Sequence, residues 1–184
     1  MKLSLLICTI PKRKDLFDKL VLELRSQVSL FPDAIEILSD GGEGRIGAKR
    51  QRLLEQAIGD YVAFADDDDW ISKDYIRSIM YGIESKPDAV GFMGWITTNG
   101  KHQTNFKISK DCEYKTTANG HERFNNHLSP VKREIALQIG YKDIDYGEDY
   151  DYALRLHESG LIKTERFISK HLYFYHYVTQ KSYS

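Results

Sequence analysis

Four consecutive carboxylates, Asp66 to Asp69, follow an apolar run at residues 61–65 (YVAFADDDDW). Ionised acids this close raise one another's pKa unless something cationic neutralises them. A hard divalent cation does so with one or two carboxylates, completing its shell with phosphate oxygens and water. In an extended segment alternate side chains share a side, which would point Asp66 and Asp68 at one ligand while Asp67 and Asp69 serve the turn. The plain alternative is a solvated acidic loop. The position of the run, at the end of a buried strand, favours the metal.

A second constellation lies about 80 residues on, in YGEDYDYALRL. Acids in the first turn of a helix gain roughly 0.3–1 kcal/mol each from the macrodipole, so Glu148 and Asp149 could be no more than helix-terminal charges. Gly147 before them leaves room for a ligand. A carboxylate here could also take the proton of an attacking hydroxyl, a task that needs separation from a metal-bound acid. Lys49 and Arg50 open another helical stretch, where cations and backbone N–H groups can meet a diphosphate. Their plain alternative is a solvated helix surface. Trp70 and Trp95 suit stacking on a base or sugar ring, or a place in the core.

The elements that must position these groups can be read from periodicity. Residues 3–9 form an apolar run suited to a strand buried on both faces. Leucines and other apolar residues then recur at helical spacing from 15 to 28, 34–38 reads as a strand, 46–58 as a helix with Ile58 inward and Gly59 as its stop, and 61–65 as a strand. That β-α-β-α-β alternation implies a parallel, doubly wound sheet with ligands at the carboxyl ends of its strands. Residues 9–11, 39–41 and 66–69 all fall there. Ser72 is placed to cap a helix, 89–93 reads as a fourth strand, and the turn at 98–101 sends the second half antiparallel. A long loop is expected over 109–126, helices over 130–139 and 148–159, and two strands over 161–168 and 171–178.

The 184 residues are 41% hydrophobic and 29% charged, as in a soluble globular domain, and the formal net charge of −1 gives no bulk argument for nucleic acid binding. Two cysteines indicate neither a disulfide framework nor a thiolate metal site. The short apolar start has no cleavage signal and no segment approaches a membrane span, so the expectation is a cytoplasmic chain with a soluble acceptor. Residues 101–133 are locally basic.

The segment IGAKRQRLLEQAIGDYVAFADDDDW, with YGEDYDYALRL downstream, resembles the Asp-x-Asp and Glu-Asp motifs of family 2 glycosyltransferases; CTIPKR and SDGG fit the same family's nucleotide-binding half. The resemblance implies an α/β fold: a single GT-A domain with a Rossmann-like mixed central sheet flanked by helices. It would bind a nucleotide-diphosphate sugar in residues 1–100, with acceptor binding and catalysis in 101–184. It implies donor contacts from Thr9, Arg13, Asp40, Lys49, Arg50, Asp66 and Asp67, with Asp40 on the nucleobase and Asp66 on the ribose side. Asp68 would ligate Mn²⁺ or Mg²⁺, with His176, or else His171, completing the metal or diphosphate site. Asp149 would be the general base, with Glu148 beside it in the catalytic motif, and His127 would line the acceptor side. The implied reaction is inverting transfer to an acceptor hydroxyl on a saccharide, on a protein, or on a hydroxylated base in modified DNA, the last suited to the basic stretch. A nucleotidyltransferase acting on sugar phosphates and a non-catalytic metal- or sugar-binding module are the competing readings.

Overall fold

The computed structural model describes residues 2–118 and 120–178. Strand β1 (Leu3–Cys8) is buried at every position, as a strand covered on both faces must be. A 3₁₀ turn, Pro11–Arg13, leads into α1 (Lys14–Val28). Then β2 (Ile35–Asp40), α2 (Ile46–Gln56) and β3 (Tyr61–Phe64) complete the alternation, with β2 and β3 both parallel to β1. Their carboxyl ends therefore meet along one edge. Two expectations fail at the end of α2. Ala57 is already extended, which turns Ile58 outward to 65% exposure. Gly59 is needed for contact rather than as a stop, because a Cβ there would lie 2.6 Å from the Ser4 backbone nitrogen.

After the acidic run come β4 (Trp70–Ile71), α3 (Tyr75–Ile83), β5 (Ala89–Thr98) and β6 (Lys101–Ile108). Ser72 does not cap α3; its hydroxyl bonds the Asp74 carboxylate, and Asp74 holds the N-cap position. Strands β5 and β6 pair antiparallel through Asn99 and Gly100, both at positive φ, 50° and 71°, as a type I′ turn requires.

The stretch expected as a loop carries two strands instead, β7 (Lys115–Thr117) and β8 (Gly120–Arg123), with β8 parallel to β6. The helix expected over 130–139 begins as β9 (Val131–Lys132), which pairs antiparallel with both β3 and β5 and so joins the halves of the sheet, and continues as α4 (Arg133–Ile139). Helix α5 (Glu148–Glu158) follows. The two final strands merge into β10 (Glu165–Tyr177), parallel to β5 with register shifts around His171, so the second half is mixed and not wholly antiparallel.

The sheet order is β2-β1-β3-β9-β5-β6-β8-β7, with β10 branching from β5 and β4 pairing on β10. One core, around Leu5, Ile76, Ile79 and Phe92, lies under α1 and α3; the other, around Leu6, Leu53, Phe64 and Tyr152, lies under α2, α4 and α5. No helix among the described residues is long and apolar enough to cross a membrane.

Candidate active site

The four aspartates form a turn, in which the Asp69 N–H donates to the Asp66 carbonyl at 3.1 Å. Exposure nevertheless alternates: Asp66 and Asp68 are half-buried, while Asp67 and Asp69 are buried. The repulsion between them is met by separate partners. Arg13 reaches from the turn after β1 to Asp67 at 2.6 Å and Asp68 at 3.4 Å. Asp69 Oδ1 accepts the His176 backbone N–H at 2.9 Å, and burial together with the charge of Asp66 pushes its carboxyl well above the usual carboxylate range. The Tyr173 hydroxyl accepts the Asp66 N–H at 2.9 Å, which fastens the turn to β10.

Arg50 occupies a different place from the expected one. Its Nη2 lies 3.0 Å from Asp66 Oδ1 and its Nε 3.1 Å from Glu148 Oε1. The guanidinium sits 4.9 Å from the centre of the Phe64 ring. At 3% exposure it is a buried cation between the two acidic motifs and not one displayed to a diphosphate. Burial alone would push the Asp66 carboxyl up, but Arg50 and His127, whose Nε2 is 3.2 Å from Asp66 Oδ2, outweigh it and hold the carboxyl well below its ordinary range. Lys49 is buried too, its ammonium donating to the Thr9 carbonyl at 3.0 Å. Glu148, expected among the catalytic groups, is buried and accepts a bond from Arg50 Nε.

Asp149 is half-buried on the first turn of α5 and, with Asp66, lines a cavity of about 400 Å³ at this edge of the sheet. Its Oδ1 accepts the Tyr150 N–H at 2.8 Å. Gly147, read as leaving room for a ligand, has a second reason to be glycine: it caps the helix at φ 76°, a left-handed conformation. His127 lines the same cavity, as do Tyr114, Arg123, Tyr175 and Tyr177. The last four were not singled out from the sequence. A period-2 pattern was available for Tyr175 and Tyr177, which face the same side of β10 and pair with Ile96 and Thr98 of β5.

Alternation puts the neighbours of those tyrosines on the other side of the sheet. There the His176 ring is 3.1 Å from the Thr97 hydroxyl. His171 stacks on Trp95 at 4.1 Å and bonds Asn105. Trp70 pairs across strands with Phe174 and is 54% exposed, so it is neither core nor cavity wall. Among the described residues no three His, Cys, Asp or Glu side chains form a group that could hold a metal, so Asp68 and His176 are not part of a protein-only metal centre.

At the end of β2, Asp40 accepts the Gly42 N–H at 2.9 Å and Arg52 Nε at 2.8 Å. Burial works against these bonds, which still hold its carboxyl below the usual range. Thr9 adjoins it, its N–H donating to the Asp40 carbonyl at 3.0 Å.

Residues 14–139, more than half of the chain, match glycosyl transferase family 2. The chain belongs to this family. Its fold is that of GT-A glycosyltransferases: residues 1–349 of TarS from S. aureus, in complex with UDP-GlcNAc, superpose with a TM-score of 0.67 at 15% identity, over 96% of this chain and 58% of that one. The same protein in complex with UDP gives 0.64 at 15% identity, over 96% and 60%. The catalytic domain of Drosophila beta1,4galactosyltransferase 7, in complex with xylobiose, gives 0.58 at 17% identity, over 93% and 67%. The chain thus spans less than two thirds of the TarS chain it matches. Comparison with curated protein sequences finds no match.

A nucleotide and a cation fit the chemistry of this family member's edge. Among the described residues, Thr9 Oγ1, Asp67 Oδ2, Arg50 Nη1 and His127 Nδ1 are buried side-chain atoms without a protein hydrogen-bond partner. Such orphans are uncommon in finished interiors, and these sit at the carboxyl ends of β1 and β3 or beside them. One is a carboxylate oxygen of Asp67, next to Asp68, and carboxylate oxygens are the ligands that a hard cation takes.

Proposed function

We propose that this chain transfers a sugar from a nucleotide-diphosphate sugar to the hydroxyl of a saccharide acceptor, with inversion at the anomeric carbon. The observation that carries the reading is that Asp66 and Asp149, from opposite motifs, face one cavity at the carboxyl edge of the sheet. Thr9 and Asp40 form the nucleoside end. Arg13 stands between that end and the acidic turn, where its cation favours a diphosphate as well as Asp67. Asp66 is the ribose-side carboxylate, held ionised by Arg50 and His127.

Asp149 accepts the acceptor's hydroxyl proton as that oxygen attacks the anomeric carbon and the nucleoside diphosphate departs. Its carboxylate suits the task because it is half-buried beside the cavity and, among the described residues, its side-chain bond is to the Tyr150 backbone. Asp68, with the donor's phosphate oxygens and water, would hold Mn²⁺ or Mg²⁺, since such ions need only one or two carboxylates from the protein. That ion supplies neutralisation of charge on the leaving diphosphate. Tyr114, Tyr175 and Tyr177 give the cavity aromatic walls of the kind on which sugar rings stack.

A DNA acceptor is not carried forward. Of the basic stretch, Lys110 pairs with Asp111, Lys115 with Glu113 and Lys132 with Asp88, and Arg123 lies over Tyr114. Cations so engaged do not make a phosphate-binding stripe.

The test is a thermal-shift panel of UDP-, GDP-, CDP- and dTDP-sugars with and without Mn²⁺. A ligand bound only by the folded state raises its stability, by about 2.7 kcal/mol at a hundred times its Kd. One nucleotide should give a metal-dependent shift, and sugar should then pass to an acceptor oligosaccharide. A flat panel would sink the reading.

A further inference from the structure

We infer that Arg50 is a positioning residue that ties the candidate base Asp149 to the donor-binding turn, acting through its buried contacts with Glu148 and Asp66. The kinetic part of this inference rests on the function proposed above; the structural part does not.

The two acidic motifs come from distant parts of the chain and from different elements, one after β3 and one opening α5. Among the described residues a buried guanidinium joins them, 3.0 Å from Asp66 and 3.1 Å from Glu148. Arg50 is itself well placed to be rigid. It lies in the second turn of α2, stacked on Phe64. The start of α2 is pinned to the segment leading into α5, because Gly47 N–H donates to the Ile144 carbonyl at 3.1 Å and a Cβ at Gly47 would collide with the Lys142 carbonyl. So α2 fixes both the approach to α5 and, through Arg50, the side chain of its first residue.

Among the described residues Asp149 has no comparable anchor. The side-chain bond found for it is the one from the next residue's own N–H, which orients the carboxylate locally without relating it to Asp66. The middle of α5 is held by other means: Asp151 meets Lys142 and Arg155, and Tyr152 stacks on Tyr141 at 4.3 Å. Loss of the Arg50–Glu148 contact therefore leaves the helix in place but frees its first turn, the part that carries the base. Lysine cannot replace Arg50, because a single ammonium on a shorter reach does not present two separated donors in one plane. A wholly structural ion pair predicts a different pattern, since its loss would loosen the domain as a whole.

The experiment compares wild type, Glu148→Gln, Arg50→Lys and the double variant by hydrogen exchange on the full chain, with steady-state kinetics alongside. In both single variants, exchange over residues 145–152 should rise by about tenfold or more, while α1 and α3 keep wild-type protection. With a donor and acceptor that wild type uses, kcat should fall on the order of 10- to 100-fold, the cost of a misplaced reacting group. Donor KM for Glu148→Gln should stay within about threefold, and the double variant should lose no more than the worse single one, as residues acting in one unit do. Wild-type exchange over 145–152, or loosening spread evenly over the domain, overturns the inference. So does local loosening with unchanged kcat. If Arg50→Lys does not fold, Glu148→Gln, nearly the same shape without the charge, decides alone. A wild type that turns over no donor fails the proposed function, while the exchange pattern still decides whether Arg50 couples the two motifs.

Discussion

Asp88 and the turn at residues 66–69 are carboxylate sites at opposite edges of the same sheet, and they are completed to different degrees. Asp88 Oδ1 takes Lys132 Nζ at 2.8 Å, and Oδ2 takes the Lys163 N–H at 3.0 Å, the Thr164 N–H at 2.8 Å and the Thr164 hydroxyl at 2.9 Å. Those bonds gather the starts of β5 and β10 and the end of β9, and both oxygens are engaged. At the other edge Asp67 Oδ2 is buried with no hydrogen-bond partner among the described residues. A buried acceptor left open costs about 1–3 kcal/mol relative to a bonded one. A fold that completes the Asp88 carboxylate and leaves an Asp67 oxygen open has a clamp at the first place and an uncompensated acceptor at the second.

The largest effect that would sharpen this contrast is on turnover. Asp149→Asn should lower transfer by about 10²–10⁴-fold, the range for a lost general base. The donor-induced thermal shift should stay as in wild type, because the substitution leaves the donor side intact. Asp68→Asn should do the reverse: the Mn²⁺-dependent part of the donor shift should disappear, with donor affinity weaker by about tenfold or more, a cost of about 1.4 kcal/mol. Identical behaviour of the two variants, read by titration and by initial rates, would break the assignment of separate roles to the two motifs.

How much of this was legible depended on the range of the interaction. The β-α-β-α-β half followed from local periodicity, and the acidic motifs fell at its carboxyl edge because strand direction alone puts them there. Family and fold followed from the same residues. Partnership did not follow. Nothing near Arg50 in the sequence says that it will meet Glu148, 98 positions away, so a buried cation was read as a displayed one. The placement of the histidines was illegible for a subtler reason: the side on which His176 falls depends on register shifts in β10 around His171, and a bulge cannot be read from alternation. Strands β7 and β8 are three and four residues long and take their pairing from β6, so no local pattern was there to announce them.

Smaller effects belong to the clamp. Asp88→Ala removes a carboxylate that accepts from a lysine, two backbone amides and a hydroxyl, and should lower unfolding free energy by about 2 kcal/mol in urea at neutral pH, in the range for bonds to a charged group. Because the clamp faces away from the cavity, kcat should be unchanged at temperatures where the variant is folded. A large fall in kcat with intact stability would erase the distinction between the two edges.

The smallest effect is the pH dependence of the same clamp. Burial pushes the Asp88 carboxyl up, but the bonds from Lys132 and Thr164 outweigh it and bring it down to about 2. An unfolded aspartate titrates near 3.9. The folded form therefore binds its proton less readily, so the unfolded state takes up protons first as acid is added, and the clamp's contribution is fully present above about pH 4. It declines as pH falls from 4 and is gone below about pH 2, where the group is protonated in both states. Allowing for solvent screening at a partly open site, that contribution amounts to about 1 kcal/mol. Urea melts of wild type and Asp88→Asn between pH 7 and pH 3 should show a stability gap that is constant down to about pH 4 and then begins to close. A gap that widened on acidification would mean that the carboxyl is favoured in its protonated form, and the clamp would then resemble Asp69 more than its bonds suggest.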